Sequence, residues 1–197
     1  MIKAIIFDWG GVLSEKGGLA PFINLYAHKY GKDPEYLSKL NKENWEKARI
    51  NRISSKTFWI NISKFLEIEP EKIRREWLVY EGFRKDVFQL AKELKRNYKV
   101  AMLTNQIEDW LEEKIKKHKL DMVFDLIVKS YESRKAKPNI EIYKEAVDRL
   151  KAKPEECVFI DDMESNLLPA EKLGMKTVLF KDTEKLKEDL KSFGVKI

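Results

Sequence analysis

The chain has 197 residues, 43% hydrophobic and 37% charged, with a formal net charge of +6. That length supports one good core plus a small appended domain, and excludes two full-sized domains. Acidic residues are mixed among the basic ones almost throughout, so the net charge forms no nucleic-acid-binding stripe and no nucleic-acid partner is expected.

No apolar run approaches the length of a membrane span, and Met1-Ile2-Lys3-Ala4 enters a strand-like segment instead of a signal peptide. The expectation is a soluble cytoplasmic protein. A single cysteine, Cys157, and two isolated histidines, His28 and His118, make neither an intramolecular disulfide nor a zinc site. Glutamine occurs only at Gln89 and Gln106, and the lysine- and glutamate-rich balance resembles that of hyperthermophile proteins.

In chain order, Lys3 to Phe7 is the first of five short apolar runs that read as buried parallel strands. It is followed by Asp8-Trp9-Gly10-Gly11-Val12-Leu13. The interval from Ser14 to Gly82 is too long for a single crossover and has no strand pattern. Asp33-Pro34-Glu35, Ser54-Ser55 and Glu69-Pro70-Glu71 mark helix starts within it. They divide it into about four amphipathic helices, whose apolar faces include Phe22, Leu25, Tyr26, Leu37, Leu40, Trp45, Phe58, Trp59, Phe65 and Trp77. Hinges are expected near Ser14 to Gly18 and Tyr80 to Lys85.

A helix over Arg84 to Arg96 leads to the second strand, Lys99 to Leu103, and then Thr104-Asn105. A helix over Ile107 to Lys117 follows, and the basic stretch Lys114 to Lys119 reads as its solvated end. The third strand is Phe124 to Val128. Lys135-Ala136-Lys137-Pro138 then precedes a helix over Asn139 to Leu150, with Pro138 suited to its first turn. The fourth strand, Val158 to Ile160, ends in Asp161-Asp162; a helix over Asn166 to Leu173, capped by Asn166, leads to the fifth strand, Thr177 to Phe180. Strand and helix alternate as in an α/β doubly wound, Rossmann-like parallel sheet. Residues 1–13 and 85–197 are expected to form this core domain and residues 14–84 an inserted helical bundle.

In an open parallel sheet, ligands bind beyond the carboxyl ends of the strands. Asp8, Thr104, Lys137, Asp161 and Asp162 would meet there. Carboxylates suit Mg²⁺, while Lys137 and Thr104 suit phosphate oxygens, which together make the inventory of a phosphoryl-transfer site. Simpler roles stand beside these. Asp8 alone would serve as a turn residue, and Thr104-Asn105 as a helix cap; Lys137 is singled out from Lys135 by the proline after it. Asp161-Asp162 places like charges together, which is costly without a cation or lysine nearby. Trp9 and Asn105 either line the site or pack and cap locally. Cys157 reads as a small buried residue.

Four stretches carry a resemblance: Ile5 to Leu13, Met102-Leu103-Thr104-Asn105, Lys137-Pro138, and Val158-Phe159-Ile160-Asp161-Asp162 resemble the ordered motifs of the haloacid dehalogenase superfamily. Glu164-Ser165-Asn166, Ala170 and Leu173-Gly174-Met175 are similar to the helix after the fourth motif, and the bundle sits where one subclass carries a helical cap. The resemblance implies that Asp8 attacks phosphorus to form an aspartyl-phosphate. Thr104 would then bind the transferring group and Lys137 steady Asp8. It implies a Mg²⁺ cofactor held by Asp8, the Gly10 carbonyl and Asp162, with Asp161 helping through water or orienting Lys137. Trp9, Gly10, Thr104, Asn105 and Lys137 are the implied phosphate- and substrate-binding set.

One position departs from the pattern. The commonest phosphatase motif has a second aspartate two residues after the nucleophile, where this chain has Gly10. Losing a positioned acid or base typically lowers rate ~10²–10⁴-fold. Glu15 and Glu164 are candidate substitutes. The dehalogenase branch also lacks this aspartate, but usually has an aromatic residue there and needs no Mg²⁺. The double aspartate favours a Mg²⁺-dependent hydrolase of small phosphorylated metabolites. A 2-haloacid dehalogenase or a catalytically weak binding protein are the alternatives.

Overall fold

The computed structural model describes residues 1–197. Its centre is a parallel sheet of β1 (Ala4–Phe7), β2 (Lys99–Thr104), β3 (Leu126–Lys129), β4 (Cys157–Asp161) and β5 (Lys176–Leu179), in the spatial order β3-β2-β1-β4-β5. This is the doubly wound α/β fold. β1 is the middle strand, and the order reverses beside it, where such sheets open a crevice at their carboxyl ends.

The apolar runs are continuous because both faces of the sheet are covered. Ile5 pairs with Val100 and Val158, and Phe7 with Met102 and Ile160; all six side chains join one core. Over them lie α5 (Lys85–Leu94), α6 (Glu108–His118) and α10 (Thr183–Ser192), contributing Leu90, Leu111 and Leu186. Ala4, Ile6, Ala101, Leu103, Cys157 and Phe159 face the opposite side, packed with Tyr143 of α8 (Ile140–Leu150) and Ala170 of α9 (Glu164–Lys172). Cys157 is fully buried, and burial pushes its thiol up to about 11, so it is an inert packing residue. Truncating Ile6 to alanine would cost about 2–5 kcal/mol.

Between β1 and α5 lie α1 (Ala20–Lys29), α2 (Pro34–Ala48), α3 (Ser55–Leu66) and α4 (Pro70–Tyr80). Asp33 caps α2 by accepting from the Glu35 amide at 2.9 Å, and Ser54 caps α3 by accepting from Thr57 at 3.1 Å. Pro70 opens α4, where its missing amide proton is not needed. Phe22, Tyr26, Leu37, Phe58, Trp59 and Trp77 form the bundle's own core, which continues into Ile107 and Trp110 beside the sheet. Trp77 meets Trp110 edge to face with centroids 4.7 Å apart. Arg74 adds ion pairs to Asp109 (3.0 Å) and Glu113 (2.5 Å) of α6. The bundle therefore rests on α6 through apolar and charged contacts alike.

Several local expectations are corrected. Leu25 is 54% exposed, because the α1 face it occupies has no neighbour. Pro138 precedes the cap of α8 instead of opening the helix: Asn139 is the N-cap and accepts from Glu141 at 2.9 Å. Asn166 lies inside α9 and caps nothing. Lys114 is buried, not solvated, because Glu81 pairs with it. Two helices add to those expected, α10 and the single turn α7 (Ser130–Ser133). No helix is long and apolar enough to cross a membrane.

Candidate active site

The carboxyl ends of β1, β2 and β4 deliver Asp8, Thr104 and Asp161 to one rim, because their parent strands are adjacent and in register. Lys137 arrives from the loop before α8 and lies 1% exposed, whereas Lys135 is solvent-facing. Lys137 Nζ stands 2.5 Å from Asp161 Oδ2 and 2.8 Å from Asp8 Oδ1. The second contact is an ion pair off the line of a good hydrogen bond, leaving Asp8 Oδ1 without a well-directed donor.

Asp161 is the most heavily engaged of the three carboxylates. Its Oδ1 accepts from the Met163 amide at 2.9 Å and from Asn166 Nδ2 at 3.0 Å, while Oδ2 takes the lysine. Asp162 is different: half-buried, it seats Oδ2 against two glycines. A Cβ at Gly11 would come within 2.1 Å of that oxygen and one at Gly17 within 2.7 Å, and Gly11 also has φ +68°. Oxygens of Asp8, Asp161 and Asp162 lie within 4.8 Å of one another.

Three carboxylates against one ammonium leave the rim short of positive charge. Burial accordingly raises the Asp8 carboxyl to about 7, against the pull of Lys137 and with help from Asp161 and Asp162. Asp162 is raised too, first by burial and then by Asp161. A divalent cation beside these oxygens would supply the missing charge, and the donor set, hard oxygens in a glycine-lined cradle, suits Mg²⁺.

Asn105 holds Lys137 at both ends of its peptide unit: Oδ1 accepts from the Lys137 amide at 2.8 Å, and Nδ2 donates to its carbonyl at 2.9 Å. Thr104 is fully buried, with a hydroxyl that has no partner. Gly10 faces open space, since an added Cβ would meet only Asp8 Oδ2 at 3.8 Å. A cavity of about 620 Å³ lies over this rim, bounded by Asp8, Gly10, Asn105, Lys137 and Asp162 below and by Asn41, Trp45 and Arg49 of the bundle above. Arg49 spans it, donating to the Lys137 carbonyl at 3.4 Å.

Trp9 turns its side chain away from the cavity into the core, where the indole N–H donates to Glu81 at 2.5 Å. Glu15 and Glu164 are exposed and neither lines the cavity. Sequence reasoning missed the roles of Asn166 and Asn105 as holders of Asp161 and Lys137. The signal available was an amide residue beside each charged motif, but the same residue types cap helices.

This constellation, carboxylates and a lysine at the switch point of a doubly wound sheet, has a family. The chain belongs to the haloacid dehalogenase-like hydrolases, whose sequence profile matches residues 2–174. Among curated proteins it is similar to bifunctional epoxide hydrolase 2 of Rattus norvegicus, 38% identical over 96 residues, covering 45% of this chain and 17% of that one. It is also similar to pyrophosphatase PpaX of Bacillus mycoides, 28% identical over 126 residues, covering 58% and 59%. Each match thus spans only part of the relative. Among solved structures, a family enzyme from Bacteroides thetaiotaomicron in complex with magnesium and inorganic phosphate aligns with a TM-score of 0.78. It is 22% identical and covers 94% of this chain and 99% of that one, a likeness of fold.

Proposed function

We propose that this hydrolase is a Mg²⁺-dependent phosphatase of small phosphorylated molecules, with Asp8 as its nucleophile. One observation carries the proposal: the oxygens of Asp8, Asp161 and Asp162 converge within 4.8 Å beside a buried lysine, at a cavity large enough for a metabolite. The names of two relatives point the same way, one a pyrophosphatase and one holding magnesium and inorganic phosphate.

In this reading an Asp8 oxygen attacks phosphorus, the bond from phosphorus to the leaving oxygen breaks, and a phosphoryl group rests on Asp8. Water then attacks that phosphorus, releasing inorganic phosphate and restoring the carboxylate. Lys137 holds Asp8 in place and offsets the charge gathering on the phosphoryl oxygens. The unpartnered Thr104 hydroxyl is available to donate to one of those oxygens. Asp8, Asp162 and the Gly10 carbonyl would hold Mg²⁺, which supplies further neutralisation of the phosphoryl group. Asp161, engaged by Lys137, Met163 and Asn166, serves chiefly to orient the lysine.

The bundle closes the site from above as a cap and sets which leaving groups fit. Gly10 provides no acid, so the leaving oxygen takes its proton from water, which favours esters with good leaving groups. That same glycine supports a second reading, a protein that binds phosphorylated ligands and turns them over poorly.

The test is a panel of phosphate esters with the purified protein, with and without Mg²⁺, alongside Asp8→Asn. Mg²⁺-dependent phosphate release that a chelator abolishes and Asp8→Asn lacks is expected. Release no greater than that of Asp8→Asn contradicts the proposal, and halide release from 2-haloacids without metal would replace it.

A further inference from the structure

Outside the rim, the molecule contains a second buried ion pair. Glu81, at the end of α4, is 1% exposed, and Lys114, in the middle of α6, is 3% exposed. Lys114 Nζ approaches Glu81 Oε2 at 2.9 Å and also donates to the Leu78 carbonyl at 3.1 Å. Trp110 Nε1 donates to the same carboxylate oxygen at 3.2 Å, and Trp9 Nε1 donates to Oε1 at 2.5 Å. Both carboxylate oxygens are therefore engaged, by two donors from α6 and one from Trp9, the residue after Asp8.

The Trp9 ring is gripped from several sides. Phe83 stacks on it at 5.9 Å and the Lys114 ammonium lies 5.9 Å over it. The Trp9 carbonyl in turn accepts from the Leu13 amide at 2.9 Å and the Ser14 amide at 2.8 Å, which folds residues 9–14 into a compact turn. The two crossings between sheet and bundle are also joined: the Lys16 amide donates to the Glu81 carbonyl at 3.0 Å, and the Arg84 amide to the Leu13 carbonyl at 2.8 Å. Glu81, itself at the second crossing, thus ties the Asp8 turn and the first crossing to α6.

We infer that Glu81 is a positioning residue for the Asp8 turn: its carboxylate fixes Trp9 and so sets where Asp8 and Gly10 stand relative to Asp162. Packing alone does not require an acid here, since a buried ion pair is often replaceable by apolar residues of similar volume without loss of stability. The hydrogen bond to the Trp9 indole is what an apolar replacement cannot reproduce. Residues that orient a metal-binding or catalytic group from behind typically contribute tenfold to a hundredfold in affinity or activity. The inference rests on the proposed site, so one arm of its test does not depend on turnover.

Two double variants separate the hydrogen bond from the charge: Glu81→Gln with Lys114→Met keeps an acceptor for Trp9, and Glu81→Leu with Lys114→Met removes it. Both eliminate the ion pair, so neither leaves an unpaired buried charge. Mg²⁺ affinity measured by calorimetry should be about tenfold or more weaker in the leucine variant and recover to within about threefold of wild type in the glutamine variant. Turnover of the best phosphate ester should follow the same order in kcat, with KM little changed. The Trp9 indole N–H should be protected from hydrogen exchange in the wild type and in the glutamine variant only. Equal Mg²⁺ affinity in all three proteins overturns the inference, as does a leucine variant with wild-type kcat. Wild-type protein that binds Mg²⁺ but releases no phosphate overturns the phosphatase reading instead, and the Mg²⁺ arm still judges Glu81.

Discussion

Two buried ionic clusters lie on either side of the Asp8 turn, and they are built to opposite ends. Around Glu81 one carboxylate meets one ammonium and two indole donors, so charge and hydrogen bonds are both satisfied. Around Lys137 one ammonium meets Asp8 and Asp161 with Asp162 close by, so negative charge is in excess and the hydroxyl of Thr104 is left without a partner. A closed cluster fixes geometry. Both border the same cavity, but only the open one is ready to receive a cation and an anion together. Burial raises Glu81 as it does Asp8, so a perturbed carboxyl by itself does not distinguish the two; unused bonding capacity does.

That contrast predicts what added groups will do. Gly10→Asp should raise phosphate release by up to about 10²–10⁴-fold, the range for a positioned acid and base, because a side chain at this position meets only Asp8 Oδ2. Steady-state kinetics on the ester panel checks it, and an unchanged kcat would mean that another group already moves the proton.

Removing the cations sharpens the comparison. Lys137→Met should lower kcat by about 10²–10³-fold, as losing one fixed electrostatic stabiliser does. Lys114→Met leaves Glu81 buried without its partner, and should destabilise the fold by about 3–5 kcal/mol in urea melts while kcat stays within a few-fold. Equal effects of the two changes on kcat would erase the distinction between the clusters.

Mg²⁺ should act on one cluster only. At a hundredfold excess over its dissociation constant it should add about 2.7 kcal/mol of stability, visible as a rise in Tm. Asp162→Asn should abolish the rise, and Lys114→Met should preserve it.

The smallest effect concerns acid. His118 stacks on Phe83 at 3.9 Å beside Trp9, and burial, with Lys114 and Lys117 nearby, depresses it from 6.5 to about 4. The unfolded chain therefore binds a proton more readily, so its contribution is intact above pH 6.5 and is lost as pH falls toward 4. His118→Phe should flatten the fall in Tm across that window, and an unaltered slope would remove His118 from the account.

The sheet was legible because two-sided burial writes each strand as an unbroken apolar run, and the rim because chemistry follows the strand ends. Asp8, Thr104, Asp161 and Asp162 were found in this way, and Pro138 singled out Lys137. What failed to show was anything made by distant partners. Glu81 and Trp9 are 72 residues apart, so a lone glutamate after α4 carried no mark of its role, and Lys114 was hidden among lysines that are truly solvated. Trp9 illustrates the ambiguity from the other side: an aromatic next to a strand-end aspartate reads equally well as a site wall or as an anchor, and only the partner of its N–H decides. Helix α10 is hard to read from the sequence because it is mostly charged, although Asp182 caps it by accepting from Lys185 at 2.8 Å and Leu186 and Leu190 share one face.

Phosphoryl transfer to Asp8 is the most direct test of the proposed chemistry. Acid quenching during turnover with Mg²⁺, followed by mass mapping of the peptide that contains Asp8, should find a borohydride-reducible phosphoryl adduct on that carboxylate, absent after chelation. Phosphate release with an unmodified Asp8, or an adduct on another residue, would contradict it.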